Sequence, residues 1–164
     1  MCFINKLDRT GADFYADLES IHNRLTKRAY PIQLPIGTED QFKGIVDLLT
    51  QKAYLYQDEL GTKIDEVEIP VDMKDKVQEY RARLIEVIIE NDENLMNAYL
   101  AGQEVPLEDL KKIIRKATIA GDIIPVLCGS ALKNKGVQFL LDAVNDYLPS
   151  PIDIPPVKGF HPKD

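Results

Sequence analysis

The tetrad Asn5-Lys6-Leu7-Asp8 follows directly on the apolar pair Phe3-Ile4, and Gly129-Ser130-Ala131-Leu132 follows a second apolar run far along the chain. The residue types at these two turns suit recognition of a guanine base. Guanine presents N1–H and N2–H2 side by side, so one carboxylate can accept from both in a charge-assisted pair that adenine cannot offer. Asp8 is the candidate for that role. The Asn5 amide can tie the turn together or reach the purine N7, and the Lys6 stem can lie along the ring face with its ammonium in water. Ser130 and Ala131 would offer backbone N–H groups to O6, with Leu132 completing the turn. Small side chains there would let the backbone approach the base closely.

Such turns need elements to hold them. Met1 to Ile4 and Ile123 to Leu127 read as buried parallel strands, and open α/β sheets bind ligands beyond the carboxyl ends of their strands. Asp13 can cap a helix from Phe14 to about Lys27, with Phe14, Leu18, Ile21 and Leu25 as its apolar stripe. Tyr30-Pro31 and Leu34-Pro35 end that helix. Short β-like runs follow at Ile32 to Ile36, Phe42 to Leu49 and Ala53 to Tyr56, read as antiparallel, with Asp58 and Gly61 marking a turn. A long helix is expected from about Val71 to Asn91 with Val77, Leu84, Ile85 and Ile88 inward. Glu79, Glu86, Glu90 and Glu93 recur at helical spacing on another face. A shorter helix runs from about Glu93 to Ala101, ended by Gly102; another starts at Pro106 with Leu110, Ile113, Ile114 and Ala117 inward, and Gly121 stops it. The last helix spans about Lys135 to Tyr147, with Val137, Leu140, Leu141, Val144 and Leu148 on one face. Pro149, Pro151, Pro155 and Pro156 give an extended exit.

Composition narrows the function classes. With 45% hydrophobic and 29% charged residues, the 164-residue chain is ordinary globular material able to bury a core. No apolar run approaches the length of a membrane span, and no signal-peptide pattern opens the chain, so a soluble cytoplasmic protein with no membrane partner is expected. Cys2 and Cys128 fall on the two buried strands with no CxxC partner, and His22 and His161 stand isolated from any nucleophile or carboxylate arrangement. Residues 31–120 carry 18 Asp/Glu against 11 Lys/Arg, which matches the whole net charge of −7. That imbalance argues for two units and against direct nucleic-acid grip by the middle section. The acidic surface is either simply solvated or a docking face for a basic partner.

Asn5-Lys6-Leu7-Asp8-Arg9-Thr10-Gly11-Ala12-Asp13-Phe14, Pro31-Ile32-Gln33-Leu34-Pro35-Ile36-Gly37, Cys128-Gly129-Ser130-Ala131-Leu132-Lys133-Asn134-Lys135-Gly136-Val137-Gln138 and Asp146-Tyr147-Leu148-Pro149-Ser150-Pro151 together resemble bacterial translation elongation factor G, nearly end to end. The resemblance implies an α/β fold: a partial P-loop GTPase-type parallel sheet, two base-binding strands with helices, carrying an α+β insertion subdomain. It divides the chain into a first GTPase segment (1–30), an acidic insertion (31–120), a second GTPase segment (121–148) and a Pro-rich linker (149–164) toward a β-barrel domain. It implies GTP or GDP as ligand of the intact parent, the ribosome as partner, and docking of the ribosomal stalk protein's C-terminal domain on the insertion, for which Glu86, Glu90 and Glu93 are the candidates. No Gly-x4-Gly-Lys-Ser/Thr occurs in the sequence, so the phosphate loop, both switches and the Mg2+ ligands are expected upstream of Met1. The chain then reads as a fragment without GTPase activity of its own. Asp58 to Gly61 spells Asp-x-x-Gly but lacks a buried strand before it, which argues against a γ-phosphate sensor. Related translational GTPases of the ribosomal-protection or release-factor type share these base motifs, although Gln33 to Gly37 and the insertion length favour elongation factor G. A free-standing acidic adaptor is the alternative from another class.

Overall fold

A computed structural model describes residues 1–90, 93–103 and 105–153. Three short strands, β1 (Cys2–Ile4), β2 (Ala29–Pro31) and β7 (Ile124–Cys128), form a parallel sheet in the order β1-β7-β2. Phe3 stands opposite Leu127 and Tyr30 opposite Pro125, so β7 is the centre and its run Val126-Leu127-Cys128 is fully buried. The sequence reading expected two strands here. Tyr30-Pro31 does not end α1, which stops earlier at Arg24, but supplies the third strand, with Ile32 N–H taking up the ladder by donating to the Val126 carbonyl at 3.0 Å.

Helix α1 (Phe14–Arg24) starts where the Asp13 carboxylate accepts from the N–H groups of Tyr15 and Ala16, at 2.9 and 3.1 Å. Such a cap is worth about 1 kcal/mol. Phe14 and Leu18 are buried, whereas Leu25, expected on the same stripe, is 79% exposed because the helix ends at Arg24 and Leu25 leaves its periodicity.

Four antiparallel strands follow in sequence order: β3 (Gln33–Ile36), β4 (Gly44–Asp47), β5 (Lys52–Tyr56) and β6 (Ile64–Val67). Pro35 is tolerated because β3 is an edge. The opposite edge, β6, was not anticipated: its Asp65 and Glu66 are exposed and resemble loop residues, yet charge on an edge strand guards against unwanted pairing.

Helices α2 (Lys74–Ile89), α3 (Glu93–Leu100) and α4 (Leu107–Ala120) complete the middle of the chain. Val77, Leu84, Ile85 and Ile88 of α2 and Leu110, Ile113, Ile114 and Ala117 of α4 are all buried, as their spacing anticipates. Each fully buried Leu or Ile contributes about 1.5–3 kcal/mol of transfer free energy. Gly121 ends α4 at φ 80°, a left-handed cap that donates to the Ala117 and Thr118 carbonyls. Arg81, on the same buried face of α2, donates to the carbonyls of Leu48 and Leu49 and so ties the helix to the β4–β5 turn.

Helix α5 (Val137–Tyr147) departs from its expected face. It buries Ala143 and Tyr147 and packs Phe139 against Tyr54 with ring centroids 4.7 Å apart and the planes tilted, leaving Leu141 and Val144 exposed. Phe139-Leu140-Leu141 is apolar on both sides of the helix, so periodicity alone could not choose; packing on β5 and α4 does. After it, residues 150–153 form a turn rather than an extended exit, with Ser150 N–H and Oγ on the Asp153 carboxylate, which also pairs with Arg115 at 2.6 Å. Residues 154–164 of the Pro-rich segment lie outside the described residues.

Candidate guanine-base site

The sheet brings the two turns together at the carboxyl ends of β1 and β7. Gly129 N–H donates to the Ile4 carbonyl at 3.0 Å and Leu7 N–H to the Gly129 carbonyl at 3.2 Å, so the ladder runs on into both loops. Asn5 joins them more directly. Its Oδ1 accepts from the backbone N–H of its neighbour Lys6 at 2.8 Å and from that of Ala131 at 2.9 Å. The Asn5 Nδ2 has no protein partner among the described residues and stays available to a ligand. Lys6 takes φ 64°, an uncommon conformation for a side-chain-bearing residue, of the kind that concentrates at ligand sites.

Asp8 presents the chemical feature that matters most. Its Oδ1 is buried and has no hydrogen-bond partner among the described residues. An unmet buried acceptor of this kind costs about 1–3 kcal/mol, more when charged. The Ser130 hydroxyl beside it is the main influence holding the Asp8 carboxyl below the ordinary carboxylate range, helped by the Asp8 backbone N–H and the charges of Arg9 and Lys133 and opposed by desolvation. The group is therefore ionised at neutral pH, as a bidentate acceptor must be. Ser130 is fully buried, and its Oγ also accepts from Lys133 N–H at 3.3 Å.

The loop that carries Ser130 is closed on itself. Ser130 N–H donates to the Lys135 carbonyl at 2.8 Å and Lys135 N–H returns to the Ser130 carbonyl at 2.9 Å. Gly129 is required here: a Cβ would lie 2.3 Å from the Lys135 carbonyl oxygen. The expectation that the N–H groups of Ser130 and Ala131 both face O6 needs correcting, since the first is held by Lys135 and the second by Asn5 Oδ1. The Leu132 N–H, in an exposed turn, has no protein partner among the described residues. Lys135 donates from Nζ to the Phe42 carbonyl at 3.1 Å. Lys133 remains exposed.

Sequence reasoning missed the support behind this loop. Tyr56, Gln138 and Asn134 join it to the β5–β6 turn, and only Asn134 and Gly136, residue types suited to the positive φ they adopt here, signalled a constrained loop. The Asp58–Gly61 motif forms that turn: the Asp58 carboxylate accepts from Thr62 N–H at 2.8 Å and Lys63 N–H at 3.1 Å. The candidate partner residues are separated from all this. Glu86 is exposed near the end of α2 and Glu90 is exposed at its cap, while Glu93 opens α3, its side chain outside the described residues. One continuous helical face bearing all three is therefore not formed, because α2 stops at Ile89. Glu79 pairs with Arg83 at 2.6 Å.

A parallel sheet with polar turns beyond its carboxyl edge is the architecture of the α/β nucleotide-binding proteins. The model of the elongation factor Tu GTP-binding domain matches residues 1–150, and the chain belongs to that family of translational GTPases, whose intact members bind guanine nucleotide. The chain also superimposes on the crystal structure of a protein from Thermus thermophilus with a TM-score of 0.80 and 35% sequence identity, covering 93% of this chain and 22% of the other. It thus spans about a fifth of that relative's length.

Proposed function

We propose that this chain is the base-reading part of the GTPase domain of elongation factor G, the ribosomal translocation GTPase, together with the insertion that meets the ribosomal stalk. The observation that carries this reading is the Asp8 carboxylate, whose Oδ1 has no protein partner among the described residues and whose charge is held mainly by the Ser130 hydroxyl. Guanine N1–H and N2–H2 fit that acceptor. Asp8 would hold the base edge, Asn5 Nδ2 would reach N7, Lys6 would lie along the ring, and the Ala131–Leu132 turn would bound O6. On this reading the segments 1–30 and 121–148 belong to the GTPase domain, 31–120 to the insertion and 149–164 to a linker. Phosphate and Mg2+ contacts would come from other residues of the complete, cytoplasmic protein, so the isolated chain would bind GDP weakly and hydrolyse no GTP.

The test is Asp8→Asn in the full-length gene product. Replacing the acceptor by an amide sets donors against donors and should weaken GDP binding by roughly 2–4 kcal/mol, while xanthosine diphosphate, which carries an acceptor in place of the amino group, gains. Unchanged preference for GDP over the xanthine nucleotide would overturn the assignment. The stalk contact rests on the exposed Glu86 and Glu90 at the end of α2. Their reversal to Lys should slow association of the stalk protein's C-terminal domain and remove its salt dependence without altering nucleotide affinity. Identical titrations for wild type and the double reversal would leave that face merely solvated.

A further inference from the structure

The turn that the Asp-x-x-Gly motif forms does not touch the base site, yet it is built against the back of the loop that does. Gly136 N–H, buried at the start of α5, donates to the Tyr56 hydroxyl at 2.6 Å. That hydroxyl in turn donates to Gln138 Oε1 at 3.1 Å, and Gln138 Nε2 donates to the Gly61 carbonyl at 3.0 Å. Asn134 Nδ2 reaches the Leu60 and Gly61 carbonyls, both at 3.3 Å. The fit leaves no slack: a Cβ on Gly61 would lie 2.5 Å from the Asn134 carbonyl oxygen, and one on Gly136 would lie 2.4 Å from that of Cys128. Tyr56 itself is buried, so water does not replace its hydroxyl.

These contacts have a common geometry. Every one runs from the antiparallel sheet to residues 134–138, and the Ser130–Lys135 bridge carries the constraint on to the turn that flanks Asp8. The Tyr56 hydroxyl accepts from a backbone N–H of the base loop, and the Asn134 and Gln138 amides on the loop side donate to backbone carbonyls of the β5–β6 turn; a polar bond fixes direction as well as distance.

We infer that Tyr56 and Gln138, with Gly61 at the tip of the β5–β6 turn, are positioning residues that hold the Gly129–Gly136 loop in its base-reading shape, so that the antiparallel sheet sets how long guanine nucleotide stays bound. The inference rests on the base-reading assignment above. A load on the sheet from a bound partner would reach the loop by the same bonds.

The test measures dissociation of a fluorescent GDP analogue from the full-length gene product. Tyr56→Phe keeps the ring and strands the Gly136 N–H; Gly61→Ala displaces the loop from the other side. Each should speed GDP release about five- to tenfold, the scale of one buried hydrogen bond, while leaving the preference for GDP over xanthosine diphosphate intact because Asp8 is untouched. Val46→Ala, in the core of the same sheet but away from the loop, serves as the control: it should lower thermal stability without speeding release. In Tyr56→Phe the Gly136 amide should also exchange hydrogen faster. If both loop variants release GDP at the wild-type rate, or no faster than Val46→Ala at equal loss of stability, the positioning role is wrong. If Asp8→Asn fails to change base preference, the base-reading assignment falls first and this inference with it.

Discussion

Replacing Asn5 by Ala removes one acceptor oxygen that serves two backbone donors, Lys6 N–H at 2.8 Å and Ala131 N–H at 2.9 Å. The second joins segments 126 positions apart in sequence, so no local bond substitutes for it. A hydrogen bond of this kind contributes about 0.5–1.5 kcal/mol net, and both lie where water can compensate in part, so the lower half of the range applies: about 1–2 kcal/mol for the pair. For a chain of this size that is about 2–4 °C in Tm per kcal/mol. Asn5→Asp is the matching control because it retains an oxygen at Oδ1; it should stay within about 0.5 kcal/mol of wild type. Urea unfolding followed by circular dichroism on the purified chain measures both variants, and amide exchange shows where the loss falls, with Ala131 and Lys6 deprotected in Asn5→Ala and protected in Asn5→Asp. Equal stability loss in the two variants, or an unchanged Ala131 amide, would show that Asn5 does not link the loops.

Three further outcomes are expected. Burial pushes the Asp47 carboxyl above its ordinary value even though Oδ1 accepts from Leu49 and Thr50 N–H at 2.8 and 2.9 Å; a raised carboxyl stabilises the fold at pH below the unfolded value and that contribution is lost as pH rises through the folded one. Asp47→Asn, which keeps the acceptor, should therefore gain stability relative to wild type as pH rises from 4 to 8, and a gain independent of pH in thermal melts would refute the assignment. Arg81→Met leaves the Leu48 and Leu49 carbonyls without their buried donor and should cost about 3 kcal/mol in urea unfolding; a loss under about 1 kcal/mol would mean the α2 tie is dispensable. Ile114→Ala in the α4 core should cost about 2–5 kcal/mol, while Leu141→Ala on the exposed side of α5 should cost no more than about 0.5 kcal/mol; similar losses at the two positions would contradict the observed helix faces.

The legible parts of this chain are those where a residue type has one physical use. Asp13 before Phe14, Pro106 before Leu107 and Gly121 after Ala120 mark helix ends because capping and left-handed backbone are jobs few residues do, and the structure has all three where the sequence puts them. Asn5, Asp8 and Ser130 came together because both stretches end buried strands of one parallel sheet. Other elements were illegible for equally physical reasons. β2 is three residues long and contains a proline, which argues against a strand unless a neighbour such as β7 already offers the ladder. β6 hides behind its own charges. The faces of α5 are decided by Tyr54 and α4, which no local window contains. Tyr56 lies 80 positions from Gly136, so the bond between them has no sequence signature at all.

Charge and core divide this molecule differently. The negative charge lies within residues 31–120, which invites a picture of two bodies joined at the sequence boundaries. The apolar interior does not divide there. One buried cluster takes Ile4, Leu7 and Phe14 from around the parallel sheet together with Leu34, Ile45, Val46 and Val77 from the acidic stretch, and a second takes Ile88, Leu110 and Ile114 together with Ile123, Leu127 and Tyr147. Charge is a property of surface, set by solubility and partners, while packing at crystal-like density leaves neighbouring elements little freedom to shift independently. The acidic section is thus rooted in the same interior as the strands that carry the Asn5 and Ser130 turns. Arg81, the β4–β5 turn, β5 and Tyr56 then link α2 to the loop that carries Ser130, each step a named hydrogen bond or a strand pairing rather than a hinge.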